Sequence, residues 1–180
     1  MNINTTYTKI ITGEDLMETA QHGSTLYPFQ FYYEDLSVFD FNCIEWHWHT
    51  ELEFIYIESG TVTLWIGEDQ FHLTEGNGIF INTKVLHRLY SPSKALIPNF
   101  VFMPSFIAPC DSLIYQKYIL PIISSSLPFL VFHKKVCWQA KVLSIMRQII
   151  SAQDSVLSKE LLTSSLLQNL WLEIFENTDI

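Results

Sequence analysis

Basic residues are scarce in this chain. Ten lysines and arginines stand against nineteen aspartates and glutamates, a net charge of −9, and Lys134-Lys135 is the nearest approach to a basic cluster. A nucleic-acid surface needs several phosphate-neutralising cations on one face. The chain taken alone is therefore not expected to bind DNA or RNA. Charged residues of both signs amount to 16 % against 48 % apolar, a balance that argues against disorder. Cysteines are few, odd in number and far apart (Cys43, Cys110 and Cys137). They read as reduced thiols rather than a disulfide framework. No apolar run approaches the roughly 20 residues that cross a bilayer. Residues 1–7 lack the charged-then-apolar pattern of a secretion signal. These absences point to a cytoplasmic protein with no membrane attachment. No GxSxG, P-loop or Cys–His pairing is present either, which removes the enzyme classes built on them.

What the chain has in quantity is aromatic residues: thirteen Phe, eight Tyr and five Trp. Such residues suit β-strands and the walls of a cavity. Residues 1–27 are polar and weakly patterned and read as an arm, with a short helix expected around 14–21. Residues 28–109 alternate between apolar runs and turn residues at the spacing of a sandwich or barrel. Strands are expected at 29–33, 43–48, 53–58, 61–66, 70–73, 78–82, 87–90 and 97–103. Ser59-Gly60 and Gly67-Glu68-Asp69 read as hairpin links. Four prolines break residues 104–130 into short pieces, and the remaining segment, 110–180, begins with one helical stretch at 111–118. From Trp138 the period becomes helical. Trp138, Val142, Ile145 and Ile149 form one stripe, and after a turn at 153–155 a second helix carries Leu162, Leu166, Leu170 and Ile174, joined by Leu167, Trp171 and Phe175. Two amphipathic helices with a short link form an antiparallel pair.

The strongest local signal is His47-x-His49, three residues, Glu53, six residues, Gly60, followed by Gly76 eleven residues before His87. Imidazole and carboxylate are ligands that Zn, Ni, Mn and Fe(II) accept. On an unbroken strand, Glu45, His47 and His49 share one face and Ile44, Trp46 and Trp48 the other. Either the tryptophans point to the core and the histidines to water, or the histidines point into a barrel and the tryptophans need cover. The C-terminal helices are candidates for that cover. Glu53 shares the parity of the two histidines, and His87 closes a later strand.

The segment from His47 to His87 resembles the two motifs of the cupin superfamily. The first has no spacing error. The second departs at Asn77, Asn82 and Lys84, where an acidic residue, proline and glycine are common. The wider context (YPFQFYYEDL, HWHTELEFIYIESG, GIFINTKVLHRLYSP, YQKYILPII and LLQNLWLEIFE) resembles the N-terminal sensor domain of AraC-type transcription regulators over residues 27–176. The resemblance implies a mainly β fold, a cupin-like antiparallel β-barrel (double-stranded β-helix or jelly roll) followed by a C-terminal antiparallel helix pair. It implies a small-molecule effector, a sugar or another small polar molecule, bound near Glu45, His47, His49, Glu53 and His87, and an arm across the barrel mouth. It also implies a homodimer formed through Leu162, Leu166, Leu167, Leu170, Trp171 and Ile174. DNA would be read by a helix-turn-helix domain outside these residues. In metal-binding cupins the positions of His47, His49, Glu53 and His87 hold a divalent ion. That makes a stand-alone metal-dependent enzyme, a small dioxygenase or isomerase, the alternative, with Tyr56, His72 and Glu51 as further acid–base groups.

Overall fold

Side-chain alternation along the strands, with period two, sets the layers of the molecule. The computed structural model describes residues 2–178, so the first residue of the arm and the last two of the helical segment lie outside the described residues. The strands are β1 (Phe29–Asp35), β2 (Cys43–His47), β3 (Leu52–Tyr56), β4 (Thr61–Ile66), β5 (Asp69–Thr74), β6 (Gly78–Ile81), β7 (His87–Tyr90), β8 (Leu96–Phe102) and β9 (Phe129–Phe132). The helices are α1 (Leu120–Ile123), α2 (Cys137–Ala152) and α3 (Lys159–Asn177). They build two antiparallel sheets, ordered β1-β8-β3-β6-β9 and β2-β7-β4-β5.

The eight expected strands are present. Three features differ from expectation. Strand β9 is cut from the proline-broken stretch and pairs with β6. Ser59-Gly60 is a crossover rather than a hairpin, because β3 pairs with β6 and β8 while β4 pairs with β5 and β7. Gly60 has φ +88, and a Cβ there would stand 2.7 Å from the Lys94 carbonyl oxygen, so the close approach requires glycine. Residues 14–21 form a turn rather than a helix, closed by Gly13 N–H to the Met17 carbonyl and a bridge between Thr12 and Glu18.

The five-stranded sheet is buried on both faces, which is why its strands read as nearly continuous apolar runs. On one face Phe54, Phe80, Phe100, Phe102 and Phe132 join Val142, Met146, Leu170 and Trp171 in a core shared with the helices. The rings of Phe54 and Phe100 stack at 5.3 Å, and Phe80 meets Trp171 edge-on at 5.9 Å. On the other face Ile55, Ile57, Ile79, Ile81 and Ile97 meet Val62, Leu64 and Leu89 of the second sheet.

The helices therefore cover the five-stranded sheet and not Trp46 and Trp48. Trp48 is held by the arm instead: its backbone N–H donates to the Leu16 carbonyl and its indole N–H to that of Asp15. The expected dimerisation residues are also redistributed. Leu167, Leu170, Trp171 and Ile174 lie inside the domain's own core, and the Trp171 indole donates to the Tyr118 carbonyl at 2.9 Å. Leu166 packs at the edge of that core. Leu162 remains 40 % exposed, beside Leu161 at 76 % and Leu172 at 52 %. A helix stripe must first satisfy its own sheet, and here the sheet takes the central residues.

Leu170→Ala should cost about 2–5 kcal/mol of folding stability, by lost burial plus a cavity, while Leu161→Ala should stay within about 0.5 kcal/mol. Urea unfolding at two protein concentrations checks this. A Leu170 effect that vanished at the higher concentration would place that side chain in an interface instead.

Candidate functional site

Four of the five expected pocket residues converge at one end of the space between the sheets. His47 ends β2 and pairs with His87 at the start of β7; His49 lies in the turn before β3, and Glu53 enters from β3 in the other sheet. All four are buried. The fifth, Glu45, is elsewhere. Between Ile44 and His47 the β2–β7 register shifts: Ile44 pairs with Leu89 and His47 with His87. One extra residue on β2 is a bulge, which breaks the alternation. Ile44 and His47 therefore both line the cavity, while Glu45 turns outward and pairs with Arg88 at 3.0 and 3.2 Å.

Each histidine of the trio turns Nδ1 to a backbone carbonyl: His47 to Glu45 at 2.8 Å, His49 to Glu51 at 3.2 Å and His87 to Val85 at 2.9 Å. A carbonyl only accepts, so each Nδ1 carries hydrogen and Nε2 is left for the site. Glu53 Oε2 stands 3.3 Å from His49 Nε2 and 3.1 Å from His87 Nε2. The His87 approach is off the line of a hydrogen bond, and that nitrogen has no hydrogen-bond partner. Burial alone would raise the Glu53 carboxyl, but His49 and His87 beside it hold it well below the usual range. Burial and the neighbouring His87 push His47 down to about 3. His49 is raised, because the Glu53 contact outweighs burial.

One ring nitrogen from each of His47, His49 and His87 lies within 4.8 Å of the other two. Histidines whose far N–H is anchored on carbonyls are the usual support of a metal site, and the partnerless His87 nitrogen adds to the fit. The trio would hold a divalent ion (Zn, Ni, Mn or Fe), with Glu53 beside it as counter-charge or further donor. Such an ion supplies a Lewis acid. The altered second motif still delivers His87. Lys84, at the common glycine position, adopts φ +61 and donates its N–H to the His49 carbonyl at 2.7 Å. Asn82, at the common proline position, ties its amide to the Ile122 and Leu127 carbonyls.

Beside His47, His49 and Glu53, the cavity wall holds polar groups with no motif behind them. Glu34 and Tyr32 come from β1 and Asn99 from β8, while Tyr7, Glu18 and His22 come from the arm. Glu34 accepts from the Tyr7 hydroxyl at 2.5 Å and from Asn99 Nδ2 at 2.9 Å. Burial lifts its carboxyl to about 7 although both hydrogen bonds pull it down. His22 Nδ1 meets the Tyr32 hydroxyl at 2.9 Å, and Nε2 stands 3.3 Å from Glu18. Asn99, a polar residue in the otherwise apolar strand β8, was an available signal; Glu34 sits on a strand that also carries Gln30 and Asp35 and gives none. The arm residues carry no local signal. Of the further acid–base groups, Glu51 approaches His49 at 3.9 Å. Tyr56 packs on the helix side and His72 bonds to Thr63.

The arm closes this space. Asn4 N–H donates to the Tyr33 carbonyl and Glu18 N–H to that of Trp48. The cavity left beneath is about 30 Å³, room for an ion or very few waters.

A family model described as the AraC-like ligand binding domain matches residues 30–171. An uncharacterized HTH-type transcriptional regulator of Bacillus subtilis, YdeC, is 24 % identical over 143 residues, covering 77 % of this chain and 48 % of that protein. The chain thus spans about half the length of that curated relative. An apo ToxT variant from Vibrio cholerae superposes with a TM-score of 0.59 at 11 % identity, covering 87 % of this chain and 58 % of that one. An RmlC-like cupin from Shewanella frigidimarina covers 42 % of this chain and 67 % of its own, at 17 % identity and a TM-score of 0.39.

Glu34 holds its proton more tightly folded (about 7) than unfolded (4.5). Its contribution to stability is therefore full below about pH 4.5 and is lost as pH rises to about 7, a fall on the order of 3 kcal/mol. Unfolding of the wild type and Glu34→Gln across pH 4–8 should give a difference curve that slopes in this window and is flat above it. A flat curve throughout would show that Glu34 ionises as in water.

Proposed function

This chain belongs to the AraC-like ligand binding domain family, and from that premise we propose that it senses a small-molecule effector in the cavity between its sheets. The observation that carries the reading is the shared ownership of the cavity wall. Tyr7, Glu18 and His22 of the arm complete a polar lining whose other half belongs to the strands. A space of about 30 Å³ is too small for an effector of several heavy atoms, against ligand sites of roughly 300–1,000 Å³. An effector that takes the site must displace the arm. Arm-closed and arm-open states then have different affinities for it, which is the condition for a population shift.

The output would pass through the helix pair. Asn4, Thr6 and Tyr7 of the arm face Gln153 of the α2–α3 turn across a groove of about 490 Å³. Gln153 in turn bonds to Ile149 and Thr163 at 2.8 and 3.0 Å. A homodimer through the exposed α3 residues Leu162 and Leu172 would carry the change to helix-turn-helix domains outside residues 1–180, and these would bind DNA. With three unpaired cysteines and no described helix long and apolar enough to cross a membrane, we place the protein in the cytoplasm.

The histidine trio supports a second reading, a metal-dependent cupin enzyme of the dioxygenase or isomerase kind. Two measurements separate them. Under the sensor reading, a ligand that raises the unfolding midpoint should speed hydrogen exchange at the Asn4 and Glu18 amides and leave β3 protected. A ligand that binds with the arm still protected overturns the coupling. Protein purified without added metal or chelator should carry far less than one equivalent of Zn, Ni, Mn or Fe; a stoichiometric ion with turnover of a small substrate would establish the enzyme.

A further inference from the structure

The cavity wall carries the carboxylates of Glu18, Glu34 and Glu53 and no lysine or arginine. Two of the three have an imidazole beside them. Glu53 lies against His49 and His87, and Glu18 against His22. Glu34 meets neutral donors, the Tyr7 hydroxyl and the Asn99 amide. A buried carboxylate without a cation is costly to ionise, so this position is built for a charge that the folded chain does not itself bring.

His22 is 6 % exposed and lines the cavity, and its Nε2, 3.3 Å from Glu18, makes no hydrogen bond. That imidazole lies against the Glu18 carboxylate, which leaves Glu34 as the carboxylate of the wall with no imidazole beside it. The rings of Tyr7 and Tyr32 also border the cavity, the 490 Å³ groove and a third space of about 190 Å³ outside the arm. They stand where a ligand would pass, and tyrosine faces attract cations. The net charge of −9 favours the approach of positive ligands.

We propose that the cavity takes a small organic cation, a molecule with a primary ammonium or guanidinium group whose N–H bonds go to Glu34. In the closed state the Tyr7 hydroxyl occupies that position. This rests on the cavity being the effector site, and it names the class of effector.

Thermal unfolding of the 180-residue chain, at pH 7.5 in EDTA and matched ionic strength, tests it with four probes: propylammonium, agmatine, sodium propionate and glucose. A cation at ten times its Kd should raise the midpoint by about 3–5 °C, and propionate and glucose should not. Glu34→Gln should abolish the shift. Tyr7→Phe, which removes the competing hydroxyl, should tighten cation binding several-fold, and this variant decides if Glu34→Gln fails to fold. A cation shift that persists in Glu34→Gln, an unchanged affinity in Tyr7→Phe, or no shift with either cation overturns the proposal. A shift with glucose or propionate alone overturns the cation class and leaves the effector reading standing. Cation binding that leaves the arm amides protected does the reverse.

Discussion

Strand β3 is the constraint on which the rest of the molecule hangs. It is paired on both edges, to β6 and to β8, so its residues have no freedom of register. Its alternation sends Leu52, Phe54 and Tyr56 toward the helices and Ile55 and Ile57 toward the second sheet. Glu53 shares the second face and is thereby driven into the interior. A charge cannot be left there alone. The histidines that answer it come from two separate places, His49 after β2 and His87 on β7. Slipping β3 by one residue would put Phe54 in the cavity and Glu53 against α2, which the alternation forbids.

The same economy explains the arm. The cavity is lined by Glu34, Glu53, His47 and His49, buried groups that need either water or partners. Residues 4–22 supply partners: Tyr7 for Glu34 and His22 for Tyr32, with backbone bonds to Tyr33 and Trp48. Most of these are single hydrogen bonds between part-exposed groups, each worth about 1 kcal/mol net. These bonds, with Tyr7 and Ile10 packed at the edge of the second core, hold the arm, whereas the phenylalanine core behind β3 is closed by fully buried side chains.

Much of this was legible beforehand because it depends on local pattern. The strand positions follow from period-two apolar runs between turn residues, and the helix pair from period-3.6 stripes. The histidine–glutamate spacing picked out four side chains that the fold brings together. The failures were of a different kind. Glu45 has the right parity, yet the bulge between Ile44 and His47 turns it outward to Arg88; a bulge is decided by cross-strand pairing and leaves no mark on the strand itself. Leu167, Leu170, Trp171 and Ile174 have the pattern of an interface, and equally of a core. Which one they serve depends on what lies opposite, here Phe80 and its neighbours.

Fold class, the two kinds of secondary structure and the quartet His47, His49, Glu53 and His87 were thus contained in the order of residues, because periodicity and motif spacing are properties of short stretches of chain. The remaining half of the site was not. Glu34, Asn99, Tyr7 and His22 meet across separations as large as the 65 residues between Glu34 and Asn99, and all but Asn99 look ordinary where they stand. They meet because two sheets and an arm enclose one small volume, where low dielectric makes every unpaired charge and every hydrogen bond count.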